Sequence, residues 1–188
     1  MFFGPLESLA WTPVRQWRPE EAGVERDAAA VLTATGSLTR FLERHYGMRL
    51  EVRLHDQFVD RAAGAEAALL GCAAGSPALR RRVSLMFRGS VMFDAESVLP
   101  LDGVHGELMQ ELQEGEKPLG NLLLDRGLSL SRSDLSVARL PEDAKAPWAG
   151  CWARRSVLRS ASGTRALVVE VFHDAMWQRV ARMGRRYR

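Results

Sequence analysis

The chain has 188 residues, of which 46% are hydrophobic and 26% are charged, and its formal net charge is +3 at pH 7. This length suits one domain with its own core, and no apolar run approaches the roughly 20 residues that a membrane-spanning helix needs. The start of the chain also lacks the basic region, apolar stretch and cleavage site of a secretory signal. These features predict a soluble, cytoplasmic protein with a single domain at 1–188 and no membrane insertion.

The excess of positive charge is concentrated in a basic tail at 176–188. A nucleic-acid surface needs basic residues interleaved with exposed aromatic ones, and Tyr187 alone does not meet that requirement. We therefore expect solvated charge in the tail and no nucleic-acid partner. Cys72 and Cys151 are too few and too far apart for a disulfide framework or a metal site, so the sequence predicts two buried free thiols.

The first third of the chain predicts an irregular segment followed by two helices. Residues 1–23 contain three prolines and two tryptophans, a composition typical of an irregular segment packed against the body. A short helix is predicted over 23–32. A second helix starts after its cap at Ser37 and ends at Gly47, and its apolar residues recur at helical intervals: Leu38, Phe41, Leu42 and Tyr46.

The middle of the chain predicts strands. Alternating polarity over 50–59 indicates a strand, whereas 61–70 is interrupted by a glycine and predicts a loop with a helical turn. A β-hairpin is predicted over 80–100 with its turn at 88–90. In that register Arg82 faces Glu96 and forms a cross-strand salt bridge, although a slip of one residue would put the two side chains on opposite faces.

The last third predicts two short helices over 106–113 and 121–124, a strand over 128–140 and a polar loop over 141–150. A second hairpin follows, with strands at 156–160 and 165–172. Helices occur early, strands occur in hairpins, and no βαβ unit repeats. The sequence therefore predicts an α+β fold in which helices pack over one face of an antiparallel sheet.

Glu170 is the one charged residue in an otherwise apolar stretch, 166–172, that predicts an interior strand. A carboxylate in such a strand costs several kcal/mol unless it is paired, solvated or protonated. One interpretation is an ion pair with Arg154, Arg155 or Arg159. The other is a pocket acid that contacts a ligand, because perturbed carboxylates mark functional sites as well as ion pairs.

Common catalytic motifs are absent from the sequence. It contains no glycine-rich nucleotide loop, no zinc-protease or serine-hydrolase motif and no paired cysteines, and its four histidines are isolated. Arginines and a carboxylate on apolar strands remain as candidates for chemistry. Such a site suits a small organic anion, since a guanidinium binds a carboxylate through two hydrogen bonds and apolar walls can enclose a ring.

Six short segments occur in an order and spacing that resemble the chorismate pyruvate-lyase family. They are GSLTRFL at 36–42, DQFV at 56–59, the hairpin from Arg82 to SVLP at 97–100, PLG at 118–120, WARRS at 152–156 and VVEVF at 168–172. Together they cover the part of the chain from about residue 30 to about residue 175. The resemblance implies an antiparallel sheet of about six strands over an enclosed ligand pocket.

The resemblance also implies an activity and a set of site residues. Chorismate would lose pyruvate to leave 4-hydroxybenzoate, for quinone (ubiquinone) or secondary-product biosynthesis, without a metal or cofactor. Arg82 would hold the ring carboxylate and Glu170 would lie at the hydroxyl end, as the two catalytic residues. The backbone amides of Leu38 and Leu119 would also hold the carboxylate, in agreement with the affinity of helix N-termini for anions.

One position departs from the family pattern. Where the family usually has a second arginine in the return strand of the first hairpin, this sequence has Glu96. An anion beside a dianionic substrate costs several kcal/mol, so we expect Glu96 to weaken the lyase activity if it lies in the pocket. The alternative function is an altered family member that binds an aromatic carboxylic acid. The sequence leaves the hydroxybenzoate isomer and the oligomeric state open.

Overall fold

The computed structural model describes residues 8–104, 106–115, 117–125, 130–161 and 163–184. Its strands are β1 (Thr12–Pro13), β2 (Glu51–Arg61), β3 (Pro77–Phe87), β4 (Ser90–Pro100), β5 (Leu130–Arg139), β6 (Trp152–Ser160) and β7 (Arg165–Phe172). They form one sheet in the order β1-β5-β6-β7-β4-β3-β2, and all neighbouring pairs are antiparallel. The predicted α+β class is confirmed, and the strand beyond the expected six is the two-residue β1.

Six helices accompany the sheet in the described part of the chain. They are α1 (Arg26–Thr33), α2 (Leu38–Tyr46), α3 (Gly64–Leu70), α4 (Gly106–Glu114), α5 (Leu119–Asp125) and α6 (Asp174–Gly184), and a short 3₁₀ turn spans Leu101–Gly103. The basic tail beyond 184 lies outside the described residues. No helix in the described ranges has the length and apolar character to span a bilayer.

Two local predictions differ in outcome. The second helix begins and ends as expected, because the Ser37 side chain accepts a hydrogen bond from the backbone N–H of Arg40, and Gly47 adopts a left-handed conformation (φ 58°). The segment 61–70 was predicted to be a loop with a helical turn, and the structure has a full helix, α3, over 64–70. There the carboxylate of Glu66 accepts a hydrogen bond from the backbone N–H of Ala63 at 2.8 Å, which satisfies a donor at the helix start.

The two faces of the sheet carry different layers. Paired residues on neighbouring strands share a face, and side chains alternate between faces along each strand. The face that carries Val83, Leu85 and Phe93 packs against α1, α2 and α6, and the face that carries Val98 and Leu167 packs against α3. We call these the cavity face and the α3 face. The prediction of helices over one face therefore holds for most helices, while α3 covers part of the other.

Two apolar clusters line the cavity face. The first joins α1, α2 and α6 to the middle of β3 and β4, and the second joins α4 and α5 to the far ends of these strands and to Leu158 and Val168. Between the clusters the strands carry polar side chains: Arg81, Ser97, Arg132 and Glu170. The break between two well-packed apolar regions is where a ligand site can form.

The two cysteines are free thiols, as predicted, but both are half-buried rather than buried. The Cys151 thiol has a raised pKa because of its burial and of nearby carboxylates, chiefly that of Asp174. Neither cysteine lines the cavity on the cavity face.

Candidate active site

A cavity opens between the two apolar clusters of the cavity face. The space between its atoms is about 490 Å³, including the part that is open to solvent. Its apolar wall comes from three central strands and β6: Val83, Leu85, Phe93, Ala95, Leu158 and Val168. The shape and the apolar wall suit a small ring.

Arg81 projects from β3 into one end of the cavity. Its side chain is almost fully buried, and the residue is 1% exposed. The guanidinium Nη2 donates to the carbonyl oxygens of Gly115 at 3.3 Å and Lys117 at 3.1 Å, which connects β3 to the loop between α4 and α5. These two bonds fix the direction of the side chain.

The charge of Arg81 is not matched by an anion among the described residues. No carboxylate in those ranges lies within ion-pair distance, and the buried Nε has no hydrogen-bond acceptor there. Burial lowers the pKa of Arg81 to about 10, which still leaves the side chain charged at neutral pH. A buried cation of this kind is costly without an anionic partner and is well placed to bind an anionic ligand.

The N-termini of two helices meet beside Arg81. Leu38 is the first residue of α2 and Leu119 is the first residue of α5, and both line the cavity. The Oδ1 atom of Asn121 accepts hydrogen bonds from the Ser37 hydroxyl at 3.1 Å and the Thr39 hydroxyl at 2.9 Å, which holds the two helix ends together. Backbone N–H groups in the first turn of a helix have no acceptor within that helix.

Glu170 projects from β7 at the other end of the cavity. Arg154 lies opposite it on β6, and the guanidinium donates from Nε to Oε2 at 2.5 Å and from Nη2 to Oε1 at 3.3 Å. Arg154 also donates from Nη1 to the carbonyl oxygens of Val31 and Ala34, at the C-terminal end of α1. Both interpretations of Glu170 therefore have structural support, since the residue forms a buried ion pair and also lines the cavity.

Glu170 is ionised at neutral pH. Burial by itself would raise the pKa of this carboxyl group, but the charges of Arg154 and Arg132 and the hydrogen bonds from Arg154 outweigh the burial and lower it. The carboxylate can therefore accept a hydrogen bond from a ligand hydroxyl but has no proton to donate.

Arg132 reaches the same end of the cavity from β5. Its side chain is 3% exposed, and its Nη1 atom lies 3.7 Å from Oε2 of Glu170. Its Nε donates to the carbonyl oxygen of Gly36 at 3.1 Å, and its Nη1 bonds to the hydroxyl of Ser156. Burial and the charge of Arg154 lower the pKa of Arg132 to about 10, against the opposing effect of Glu170, so the side chain stays charged at neutral pH.

The chorismate lyase family model matches residues 14–182, nearly the whole chain. The chain belongs to the chorismate lyase family. A "Probable chorismate pyruvate-lyase" of Chromohalobacter salexigens is 34% identical over 170 residues, which cover 88% of this chain and 89% of the relative. A protein of the same name from Pseudomonas putida is 34% identical over 149 residues, which cover 78% and 81% of the two chains.

Solved structures share the chorismate lyase fold at low sequence identity. The effector domain of PhnF from Mycobacterium smegmatis aligns with a TM-score of 0.58 and 19% identity, covering 74% of this chain and 90% of that domain. A GntR-family transcriptional regulator from Bacillus cereus aligns with a TM-score of 0.51 and 14% identity, covering 67% and 92%. At these identities the comparison shows the fold alone.

Arg82 does not lie where the sequence of this chorismate lyase family member predicted it. The β3–β4 register pairs Arg82 with Glu96 and Arg81 with Ser97, and only Arg81 shares the cavity face with Glu170. Arg82 lies on the α3 face, where its guanidinium stacks on the ring of Phe58 at 5.2 Å. The prediction that Arg82 and Glu170 meet in one cavity is wrong, because neighbouring residues of a strand point to opposite faces.

Glu96 also lies outside the cavity. The predicted pairing with Arg82 is confirmed, with Nε 3.4 Å from Oε2, and Nη1 of Arg80 lies 3.1 Å from Oε1. Glu96 is fully buried on the α3 face, between these two guanidinium groups. The condition under which Glu96 was expected to weaken the lyase activity, a position in the pocket, is therefore not met, since the sheet separates it from the cavity.

The remaining predicted residues line the cavity, and two further ones were missed. Leu38, Leu119 and Glu170 line it together with Arg81 and Arg132, and the ligand contacts that the resemblance implies for them stay a prediction. Arg81 was missed because three consecutive arginines at 80–82 could be assigned to faces only from the strand register. Arg132 was missed because its strand alternates weakly in polarity, so its face was not evident from the sequence.

Proposed function

We propose that this protein is a chorismate pyruvate-lyase that converts chorismate into 4-hydroxybenzoate and pyruvate. The observation that carries this proposal is a buried, charged Arg81 without a carboxylate partner among the described residues, in the same apolar cavity as an ionised Glu170. These two groups match the two ends of a ring that has a carboxylate at one end and a hydroxyl group opposite it. Membership of the chorismate lyase family supports the choice of substrate.

The ring carboxylate of the substrate binds at the Arg81 end. The guanidinium supplies the positive charge, and the backbone N–H groups of Leu38 and Leu119 supply additional donors. The bridge from Asn121 to Ser37 and Thr39 keeps these helix ends in place before the substrate arrives. Preorganised donors of this kind bind an anion without the cost of rearranging the site.

The ring hydroxyl binds at the Glu170 end. By the strand register, Arg81 and Glu170 are two strands apart and offset by two residues, which puts their Cα atoms about 12 Å apart. The proposed ring lies between these two side chains. The ionised carboxylate accepts the hydrogen bond of the hydroxyl group, and the apolar wall packs against the ring faces.

The reaction is an elimination across ring carbons C3 and C4. The C3–O bond to the enolpyruvyl group breaks, and its electron pair leaves on the oxygen. The hydrogen at C4 leaves as a proton, and its bonding pair forms the C3=C4 double bond that completes the aromatic ring. A proton on the terminal methylene of the enol then gives pyruvate, so atoms and electrons balance without an oxidant or reductant. The site contributes mainly orientation, and aromatisation provides the driving force.

The test is direct. We expect purified protein and chorismate to give pyruvate and 4-hydroxybenzoate in equal amounts, measured by a pyruvate-coupled NADH assay and by chromatography of the aromatic product. Heat-unfolded protein corrects for spontaneous breakdown of chorismate. Absence of pyruvate, together with tight binding of 4-hydroxybenzoate, would overturn the proposal in favour of a family member that binds an aromatic acid. We further propose that the reaction takes place in the cytoplasm and that, as the family resemblance implies, it supplies quinone or secondary-product synthesis.

A further inference from the structure

Positive charge is in surplus in the cavity. Three guanidinium groups, those of Arg81, Arg132 and Arg154, lie in or beside it, and the one carboxylate with them among the described residues is Glu170. Arg81 alone can bind one carboxylate of a substrate. The second surplus positive charge lies at the Glu170 end of the cavity, about two strands away from Arg81. The binding of one ring carboxylate by Arg81 leaves this second charge without a role.

Arg154 is already committed to Glu170. It is completely buried, does not line the cavity, and uses Nε and Nη2 for the carboxylate and Nη1 for two carbonyl oxygens of α1. This pair neutralises Glu170 without help from β5. Arg132 lies farther from the carboxylate, at 3.7 Å, and forms no hydrogen bond with it. The surplus charge at this end is therefore that of Arg132.

Arg132 also has a hydrogen-bond donor that the described residues do not use. Its Nε and Nη1 atoms bond to Gly36 and Ser156, and no residue in the described ranges accepts a hydrogen bond from Nη2. The side chain is 3% exposed and lines the cavity. Its charge persists at neutral pH, with a pKa of about 10. A buried guanidinium that lines a cavity and has a donor not used by the described residues is well suited to a second anionic group.

The chemistry of chorismate places such a group at this end. Its hydroxyl group is on C4 and its enolpyruvyl ether is on the adjacent C3, so a ring held with its hydroxyl group at Glu170 brings the side-chain carboxylate close to Glu170 as well. We propose that Arg132 binds the carboxylate of the enolpyruvyl group and thereby selects a dianionic substrate over monocarboxylates. This inference rests on the proposed function. It makes Arg132 a substrate-binding residue that holds the leaving group in place during elimination.

Two ring compounds that undergo no elimination test the role of Arg132 without turnover. 4-Hydroxy-3-methoxybenzoate and 3-carboxymethoxy-4-hydroxybenzoate both carry the ring carboxylate and hydroxyl group, and the second adds a carboxylate where the enolpyruvyl group stands. We expect the wild-type protein to bind the dicarboxylate about 30-fold or more tightly than the methoxy compound, as measured by calorimetry. We expect Arg132→Met to abolish this preference while its affinity for the methoxy compound stays within about threefold.

Two further variants distinguish the effect of the Arg132 charge from that of the structure around it. Arg132→Lys keeps the charge and should retain part of the preference for the dicarboxylate. Ser156→Ala removes a partner of Arg132 and leaves the guanidinium in place, and it should keep most of the preference. Thermal unfolding shows whether each variant is folded, and Arg132→Lys is the decisive variant if Arg132→Met is not.

The outcomes are distinct. An equal loss of affinity for both compounds in Arg132→Met would overturn the inference, because Arg132 would then act through Glu170 or through the fold. Equal affinity of the wild-type protein for both compounds would overturn it as well. Failure of the wild-type protein to release pyruvate from chorismate overturns the proposed function instead, and the two binding experiments do not depend on that result.

Discussion

Arg81 and Arg82 are adjacent in β3, yet they lie on opposite faces of the sheet and have different partners. Arg81 lines the cavity, while Arg82 faces Asp56 and Glu96 beside α3. The sheet thus separates a cation that has no anionic partner among the described residues from one that is held in an ion-pair network. Only Arg81 can bind a ligand without breaking an existing ion pair. The strand register therefore determines which of the two arginines belongs to the candidate site.

The ion-pair network on the α3 face predicts the effect of Glu96→Arg. Arg80 and Arg82 both contact Glu96, which is fully buried, so an arginine at this position would bring three guanidinium groups together without their shared anion. We expect a loss of about 3 to 5 kcal/mol in the free energy of unfolding, measured in urea. Glu51→Arg, at an exposed position of β2, controls for the charge change.

The same variant tests whether Glu96 limits the reaction. Because the side chain of Glu96 lies on the α3 face, opposite the cavity, kcat per folded molecule should not rise in Glu96→Arg. A variant that stays folded and turns over chorismate faster than the wild-type protein would contradict the placement of Glu96 outside the cavity.

The lowered pKa of Glu170 predicts the acidic side of the pH profile. A carboxyl group with a pKa below its ordinary value of 4.5 stays ionised as the pH falls from 8 to 5. Its contribution to activity is therefore present across this range and is lost only at lower pH. We expect kcat/KM for chorismate to show no acidic limb between pH 8 and pH 5. A limb with an apparent pKa near 6 that disappears in Glu170→Gln would show that Glu170 titrates in this range.

Asp94 connects three elements on the α3 face, and its removal should weaken the fold. Its carboxylate accepts hydrogen bonds from Ser84 at 2.5 Å, Trp148 at 2.7 Å and His173 at 2.8 Å. Burial would raise its pKa, but these partners lower it. A depressed pKa means that this stabilisation is present above about pH 4, the ordinary pKa of an aspartate, and is lost as the pH falls through the folded-state value.

We therefore expect Asp94→Asn to cost about 2 kcal/mol of unfolding free energy at neutral pH, and less at pH 3.5, as measured by urea denaturation. Asp102→Asn is the matched control, because Asp102 pairs with Arg165 at an exposed position, where the change should stay within about 1 kcal/mol. An Asp94→Asn cost that is the same at both pH values would contradict a depressed pKa.

The fold was largely predictable from the sequence, and the site only in part. Hairpins, the cap at Ser37 and the break at Gly47 follow from local patterns, and the structure has them. The identity of the cavity arginine does not follow from such patterns, because 80–82 is a run of arginines on a strand that is buried on both faces. Alternation of polar and apolar residues, the usual guide to facing, is absent there.

Long-range contacts could not be predicted from the sequence either. The pairing of Glu170 with Arg154 was one of three open possibilities, and the β6–β7 register decides among them. The approach of Arg132 depends on where β5 joins β6, at the pairing of Arg132 with Leu158, which no local signal specifies. The contribution of α3 was missed because its stabilising hydrogen bond, from Ala63 to Glu66, lies in a segment that a glycine interrupts.

The affinity of Arg81→Met and Arg82→Met for 4-hydroxybenzoate tests the central claim most directly. Calorimetric titration of the two folded variants compares neighbouring arginines with the same change in side chain. We predict that Arg81→Met weakens binding by about 30-fold or more, because it removes the cation for the ring carboxylate, and that Arg82→Met stays within about threefold of the wild-type protein. Retained affinity in Arg81→Met, or a comparable loss in Arg82→Met, would contradict the assignment of the site to the cavity face.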